Sequence, residues 1–257
     1  MNSGASRAVC TLSRMRITTG EDTTFLIAQA ADAIEKLVRD TPDAVLGIAT
    51  GSSPEPLYAE ITARVQNGLD LSRLRITCLD EYVGLAASHP QSYRHYIAEH
   101  VLEPWGIDAD AAVLPTGDAD DPDAAAADFE KRILALGGVD LQILGVGPNG
   151  HIAFNEPGSS FASRTRVVDL TPSTREANSR FFDSEADVPI RAISQGIGTI
   201  LESRHALLLA FGEGKAPAIR AMVEGSCTED IPASALQEHA DVDVYLDDAA
   251  ASLLGRG

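Results

Sequence analysis

Apolar positions along the chain follow two different periods. Between residues 21 and 40, Leu26, Ile27, Ala30, Ala31, Ile34, Leu37 and Val38 fall on one helical face, which predicts an amphipathic helix. Leu57, Ile61 and Val65 repeat that spacing more weakly, and the polar turn and alanines of "DADDPDAAAADFE" predict a further helix ending near Gly137. Between these helices stand short β-rich apolar runs: "AVLGIAT", "LRITCLD", "LQILGVG", "HALLLAFG" and "VDVYLD". Continuous apolar strands alternating with amphipathic helices predict a single Rossmann-like α/β domain, a mostly parallel sheet with helices on both faces. No Pro- or Gly-rich linker interrupts the alternation. The domain is therefore expected over residues 15–257, with residues 1–14 as a tail and Met15 as a candidate start.

Composition narrows the function classes. No apolar run reaches the roughly 18 residues of a membrane helix, and the N-terminus has no apolar signal core, so a cytoplasmic location is expected. The three cysteines, Cys10, Cys78 and Cys227, lie far apart without a CxxC, which fits a reducing compartment and argues against a thiolate metal site. A formal net charge of −18 repels phosphate backbones and argues against nucleic acid as a partner. It leaves room for a small anionic substrate. The segment "SRTRVVDLTPSTREANSR" breaks the acidic trend with Arg164, Arg166, Arg175 and Arg180. These read either as solvated surface arginines or as an anion-binding cluster.

Ligands of open parallel sheets bind beyond the carboxyl ends of the strands. Polar and glycine residues gather at four such ends: Thr50-Gly51-Ser52-Ser53-Pro54, Asp80-Glu81-Tyr82, the loop "GVGPNGHIAFNEPG" of residues 145–158, and Glu213-Gly214-Lys215. One site is expected there. The Thr50–Pro54 turn suits a phosphate at a helix start, or else a serine cap. It lacks the Gly-Lys-Ser/Thr of a Walker loop, so ATP and GTP are not expected. Asp80 and Glu81 are extended neighbours that point opposite ways. Asp80 reads as a general base on a carbon acid, or as a capping or turn acid.

The central loop satisfies G-x-G-x-x-G, and Asp169 follows about 20 residues on, as a dinucleotide fingerprint asks. The fingerprint also requires a helix to start within the glycines. Pro148 occupies the turn and Pro157-Gly158 breaks the chain soon after Gly150, so the cofactor reading is rejected. What remains is His151 with Asn149 and Glu156 close by, an imidazole with candidate orienting partners, for which catalysis is favoured over a structural role. The other histidines form no HExxH or comparable ligand pair, so no metal is expected.

The stretches "LDEYVGL…HPQSYRHY", "GPNGHIAFNEPGSSFASRTR" and "ANSRFF" resemble the glucosamine-6-phosphate deaminase family, from about Met15 almost to the C-terminus. The resemblance implies conversion of glucosamine 6-phosphate and water to fructose 6-phosphate and ammonia, with no cofactor. It implies Asp80 as the base moving a proton from C2 to C1, His151 as the group assisting ring opening, and Glu156 as its tuning partner. It implies that the phosphate is held by the Thr50, Gly51, Ser52 and Ser53 turn with Arg180 and Lys215. Asn149 stands where some relatives carry aspartate and is carried over as a support residue. Allosterically activated relatives use Ser160 and Arg166 among others. This chain has both, but carries Val168 in place of a lysine and stops soon after "SLLGRG", which speaks against activation by N-acetylglucosamine 6-phosphate. A sugar phosphate is the expected partner, with a homo-oligomer as the candidate assembly and neither nucleic acid nor membrane. The competing readings are a 6-phosphogluconolactonase, a sugar-phosphate-sensing regulator domain and a catalytically dead homologue.

Overall fold

The computed structural model describes residues 15–255; the expected tail at 1–14, and Cys10 with it, lies outside the described residues. Ten strands form, β1 (Met15–Gly20), β2 (Val45–Ile48), β3 (Arg75–Cys78), β4 (Asp80–Tyr82), β5 (Ala112–Val113), β6 (Leu141–Leu144), β7 (Arg166–Asp169), β8 (Arg191–Ser194), β9 (His205–Ala210) and β10 (Val242–Asp247). The α-helices are α1 (Thr23–Asp40), α2 (Glu55–Gln66), α3 (Tyr93–Ile97), α4 (Glu103–Trp105), α5 (Pro122–Ala135), α6 (Pro172–Asn178), α7 (Ile197–Leu201) and α8 (Ala216–Glu224). All five expected apolar runs contain a strand, and the three expected helices are α1, α2 and α5.

The helix ends follow local chemistry. Asp22 caps α1, its side chain accepting from Thr24 N at 2.9 Å and Phe25 N at 3.3 Å. Leu26, Ile27, Ala30, Ala31, Ile34 and Val38 of that helix are buried. Truncating one of them, such as Ile34, to alanine costs about 2–5 kcal/mol in a packed core. Asp121 caps α5 through Ala124 N at 3.0 Å, with Pro122 at its first position. Gly137 at φ +92° turns the chain away after it.

Seven strands form one parallel sheet in the order β1-β10-β9-β6-β2-β3-β5. Val45 and Leu46 point to opposite faces and join different apolar clusters, Val45 with Phe129 and Ile133 of α5, Leu46 with the main core. Both faces are therefore covered. From β2 the chain builds outward through β3 and β5, then returns to β6 on the other side of β2 and continues through β9 and β10. The switch of direction lies between β2 and β6, at the middle of the sheet. This is where a crevice opens beyond the strand ends.

One element departs from expectation. The run "LRITCLD" is not one strand: it leaves the main sheet at Leu79, and β4 enters a second, antiparallel sheet of order β4-β8-β7. Gln195 holds this corner, its backbone N donating to Leu79 O and its Nε2 to Cys78 O, both at 2.7 Å. The polar side chain replaces ladder bonds that β3 loses there. Among the described residues, Cys78 and Cys227 are free thiols, and no helix is long and apolar enough to cross a membrane.

Candidate active site

A cavity of about 620 Å³ opens at the switch point, lined by residues from all four strand ends that the sequence singles out. Thr50, Gly51, Ser52, Ser53, Asp80, Asn149, His151, Arg180 and Lys215 all face it. Glu156 reaches it through Asn149 and His151.

The turn after β2 passes through Gly51 at φ +101°, a conformation that a β-carbon disfavours. Pro54 takes the cap position of α2 and no side chain caps that helix, so the serine-cap alternative does not hold. Pro54 and Pro56 carry no N–H and Leu57 N donates to Pro54 O at 3.0 Å, so this turn presents the cavity chiefly with the hydroxyls of Ser52 and Ser53.

Asp80 begins β4, pairs in register with Ser194 of β8 and is 6% exposed. Burial, and after it the charge of Glu81, pushes its carboxyl up to about 8. Glu81 points the opposite way, as the alternation of an extended chain requires, and turns to the start of α3.

The loop after β6 carries no helix: its only regular feature is a bridge between Ile152 and Asn155. Gly150 adopts φ +85° and Ala153 φ +51°, the latter a left-handed backbone that costs a non-glycine residue free energy. A β-carbon on Gly147 would overlap the His151 imidazole, so this glycine is the floor on which the ring lies. His151 Nδ1 stands 3.6 Å from Glu156 Oε2, a contact longer than a hydrogen bond. Asn149 Nδ2 donates to that same oxygen at 2.7 Å, and Asn149 Oδ1 accepts from His151 N at 3.2 Å. Asn149 thus orients the carboxylate and the loop, not the imidazole directly. Thr171 Oγ1 donates to Glu156 Oε1 at 3.2 Å, and Thr174 Oγ1 donates to it as well. Burial alone would raise the Glu156 carboxyl; contacts from His151, Thr174 and Asn149 outweigh it and hold it down at about 2.

Two cations complete the cavity. Lys215 follows β9 and donates from Nζ to Val146 O at 2.8 Å. Burial first, then the nearby Arg180 charge, lowers its proton affinity. Among the described residues neither Arg180 nor Lys215 forms an ion pair with a carboxylate, a combination chemically suited to an anionic ligand. The Arg180 guanidinium rests 4.6 Å over the Phe181 ring. The wider arginine cluster does not assemble. Arg164 is tied to Glu130 and Glu202, Arg166 donates to Asn155 Oδ1 at 2.9 Å, and Arg175 donates to Glu185 O at 3.0 Å.

Sequence reasoning missed the residues that reach the site from far along the chain. Thr171 and Thr174 lie 15 and 18 positions beyond Glu156; the one signal available was that "TPST" fits a helix start, Thr171 capping α6. Tyr82, Tyr93, Phe154 and Phe182 form an aromatic wall, with Tyr82 and Tyr93 centroids 4.9 Å apart. No spacing in the sequence links these rings. Among the described residues, no cluster of His, Cys, Asp and Glu is arranged to hold a metal.

Comparison with known proteins agrees in sequence and in shape. The family described as glucosamine-6-phosphate isomerases/6-phosphogluconolactonase matches residues 21–245. A protein of Streptomyces avermitilis named glucosamine-6-phosphate deaminase is 54% identical over 226 residues, 87% of each chain. One of Cellvibrio japonicus with the same name is 46% identical over 241 residues, 93% of this chain and 92% of that one. Among solved structures, a monomeric glucosamine-6-phosphate deaminase superposes with a TM-score of 0.90 at 42% identity, covering 93% of this chain and all of that one. The 6-phosphogluconolactonase of Trypanosoma cruzi, 21% identical with a TM-score of 0.78 over 96% of this chain and 99% of that one, shares the fold.

Proposed function

The chain belongs to the glucosamine-6-phosphate isomerase and 6-phosphogluconolactonase family, and from that premise we propose that it is a glucosamine-6-phosphate deaminase. It converts glucosamine 6-phosphate and water to fructose 6-phosphate and ammonia. The phosphate lies between the Thr50–Ser53 turn and the Arg180 and Lys215 cations. His151, set by Glu156 and Asn149, carries the proton between the ring oxygen and the anomeric hydroxyl as the pyranose opens. Asp80 removes the C2 proton of the open-chain aldehyde, giving an enolamine, and returns it to C1. The resulting imine at C2 takes up water and releases ammonia. A base with a proton affinity near neutrality suits a residue that must both accept and return that proton.

The observation that carries this reading is the placement of buried Asp80 and the His151–Glu156 pair on one cavity with the two cations. A lactonase would need no carboxylate base for a carbon acid. Ammonia release from glucosamine 6-phosphate, measured beside hydrolysis of 6-phosphogluconolactone, separates the two. Lactone hydrolysis without ammonia release would overturn the proposal.

The structurally similar deaminase is described as monomeric, which supports a functional monomer over the expected homo-oligomer. The free thiols of Cys78 and Cys227 support a cytoplasmic setting. Activation by N-acetylglucosamine 6-phosphate is not part of this reading, since Val168 replaces the lysine of activated relatives.

A further inference from the structure

The residue next to the proposed base is built into the fold more firmly than a turn acid needs to be. Glu81 is 2% exposed. Its Oε1 accepts from Tyr82 N at 2.8 Å and Tyr93 N at 3.0 Å, and its Oε2 from Ser92 Oγ and Arg94 N, both at 2.8 Å. Four donors on one buried carboxylate occupy both of its oxygens and fix its orientation. Gly117 leaves the room it needs, since a β-carbon there would lie 2.9 Å from Glu81 Cγ. The clamp joins β4 to the start of α3, and so joins Asp80 to Tyr93, which faces the same cavity.

We propose that Glu81 is a positioning residue for Asp80, pinning β4 against α3 and keeping a fixed negative charge beside the base. This rests on the assignment of Asp80 as the base, and it gives the second carboxylate of "DEY" a role apart from contact with substrate. The two side chains leave opposite sides of one strand, so they share no proton and no ligand. Their coupling is through space. Its effect is to favour the acid form of Asp80, adding to what burial does. The other ionisable groups around Asp80 differ in kind. Tyr82 of β4 and Tyr93 of α3 are held neutral by burial, as is Cys78 of β3, whose thiol donates to Asp80 O. His151 and Lys215 approach from other strand ends, Arg180 from the turn after α6, and Glu55 faces the cavity from the start of α2. Arg94, the cation nearest the clamp in sequence, turns its guanidinium to the carbonyls of Leu114 and Pro115 at 3.3 Å. Among the described residues, the donors to the Glu81 carboxylate are backbone N–H groups and the Ser92 hydroxyl, with no side-chain cation.

The test follows the Asp80 carboxyl carbon by NMR in aspartate-labelled protein, assigned by its loss in Asp80→Asn, beside the pH profile of kcat/KM. In Glu81→Gln, both the Asp80 midpoint and the acid limb of kcat/KM should fall together by about one pH unit. Glu81→Asp keeps the charge and should hold both near the wild-type values while kcat drops. An unmoved Asp80 midpoint in Glu81→Gln, or an equal fall in Glu81→Asp, would overturn the proposal. If the Gln variant does not fold, the wild-type protein still decides: an Asp80 midpoint in the ordinary carboxylate range removes any role for Glu81 in raising it. Failure of the wild type to release ammonia would instead strike the functional assignment, and the NMR titration would still test Glu81.

Discussion

Asn149 donates to Glu156 Oε2 at 2.7 Å, and that same oxygen is the one that stands 3.6 Å from His151 Nδ1. The amide therefore acts on the imidazole through the carboxylate. A hydrogen bond to a charged group contributes about 1.5–3 kcal/mol, so Asn149→Ala should lower kcat roughly 10- to 100-fold. KM should stay within about twofold, because the phosphate contacts are untouched. Steady-state kinetics checks this, and a rise in KM at constant kcat would make Asn149 a binding residue.

Thr174 holds the other Glu156 oxygen, and the two elements it joins are far apart in sequence. Glu156 is held at about 2, below its ordinary value. Such a group stabilises the fold above its unfolded pKa, and that contribution is lost as pH falls from about 4.5 towards 2. Thr174→Val should therefore lower Tm at pH 6, with the penalty shrinking towards pH 3. A penalty independent of pH would assign Thr174 to packing alone.

Asp80 has the opposite sign. Its folded pKa is raised to about 8, so the folded state holds the proton more tightly than the unfolded chain does. Stability then declines as pH climbs from about 4 through 8. Asp80→Asn removes that decline. Its Tm should exceed the wild type's, and the excess should grow between pH 5 and pH 8.5 in thermal unfolding scans. An excess that is constant over this range would mean that Asp80 is not buried as a reluctant anion.

Arg180 and Lys215 face the cavity, and among the described residues neither pairs with a carboxylate; the proposed reading gives them the substrate phosphate. Arg180→Ala and Lys215→Met should each raise KM by about tenfold or more, and weaken competitive inhibition by inorganic phosphate in parallel. An unchanged KM in either variant would remove that residue from the phosphate site.

The sheet and its switch point were legible because β2 and β9 are continuous apolar runs and β6 is apolar but for Gln142, each followed by glycines or hydroxyls. Rejection of the dinucleotide fingerprint was legible for the same reason. Pro148 and Pro157 forbid the helix that the fingerprint requires, and none forms there. The second sheet was not legible. β4 (DEY), β7 (RVVD) and β8 (RAIS) are short and mix charged with apolar positions, so no apolar run marks them. The arginine-rich segment misled because composition counts charges without their partners. Glu130 and Glu202, which pair with Arg164, come from distant parts of the chain. Thr174 and the role of Glu81 escaped notice for a related reason: their work is done through hydrogen bonds that only the folded chain creates.

The central claim is that Asp80 carries a proton from C2 to C1 of the open-chain sugar. The most direct measurement supplies glucosamine 6-phosphate deuterated at C2 to the wild type and to Asp80→Asn, and follows ammonia and the label in the product. The wild type should release ammonia and yield fructose 6-phosphate that has lost deuterium from C2 and carries part of it at C1, while Asp80→Asn should bind the sugar phosphate and release none. Ammonia release by Asp80→Asn at the wild-type rate would contradict the account.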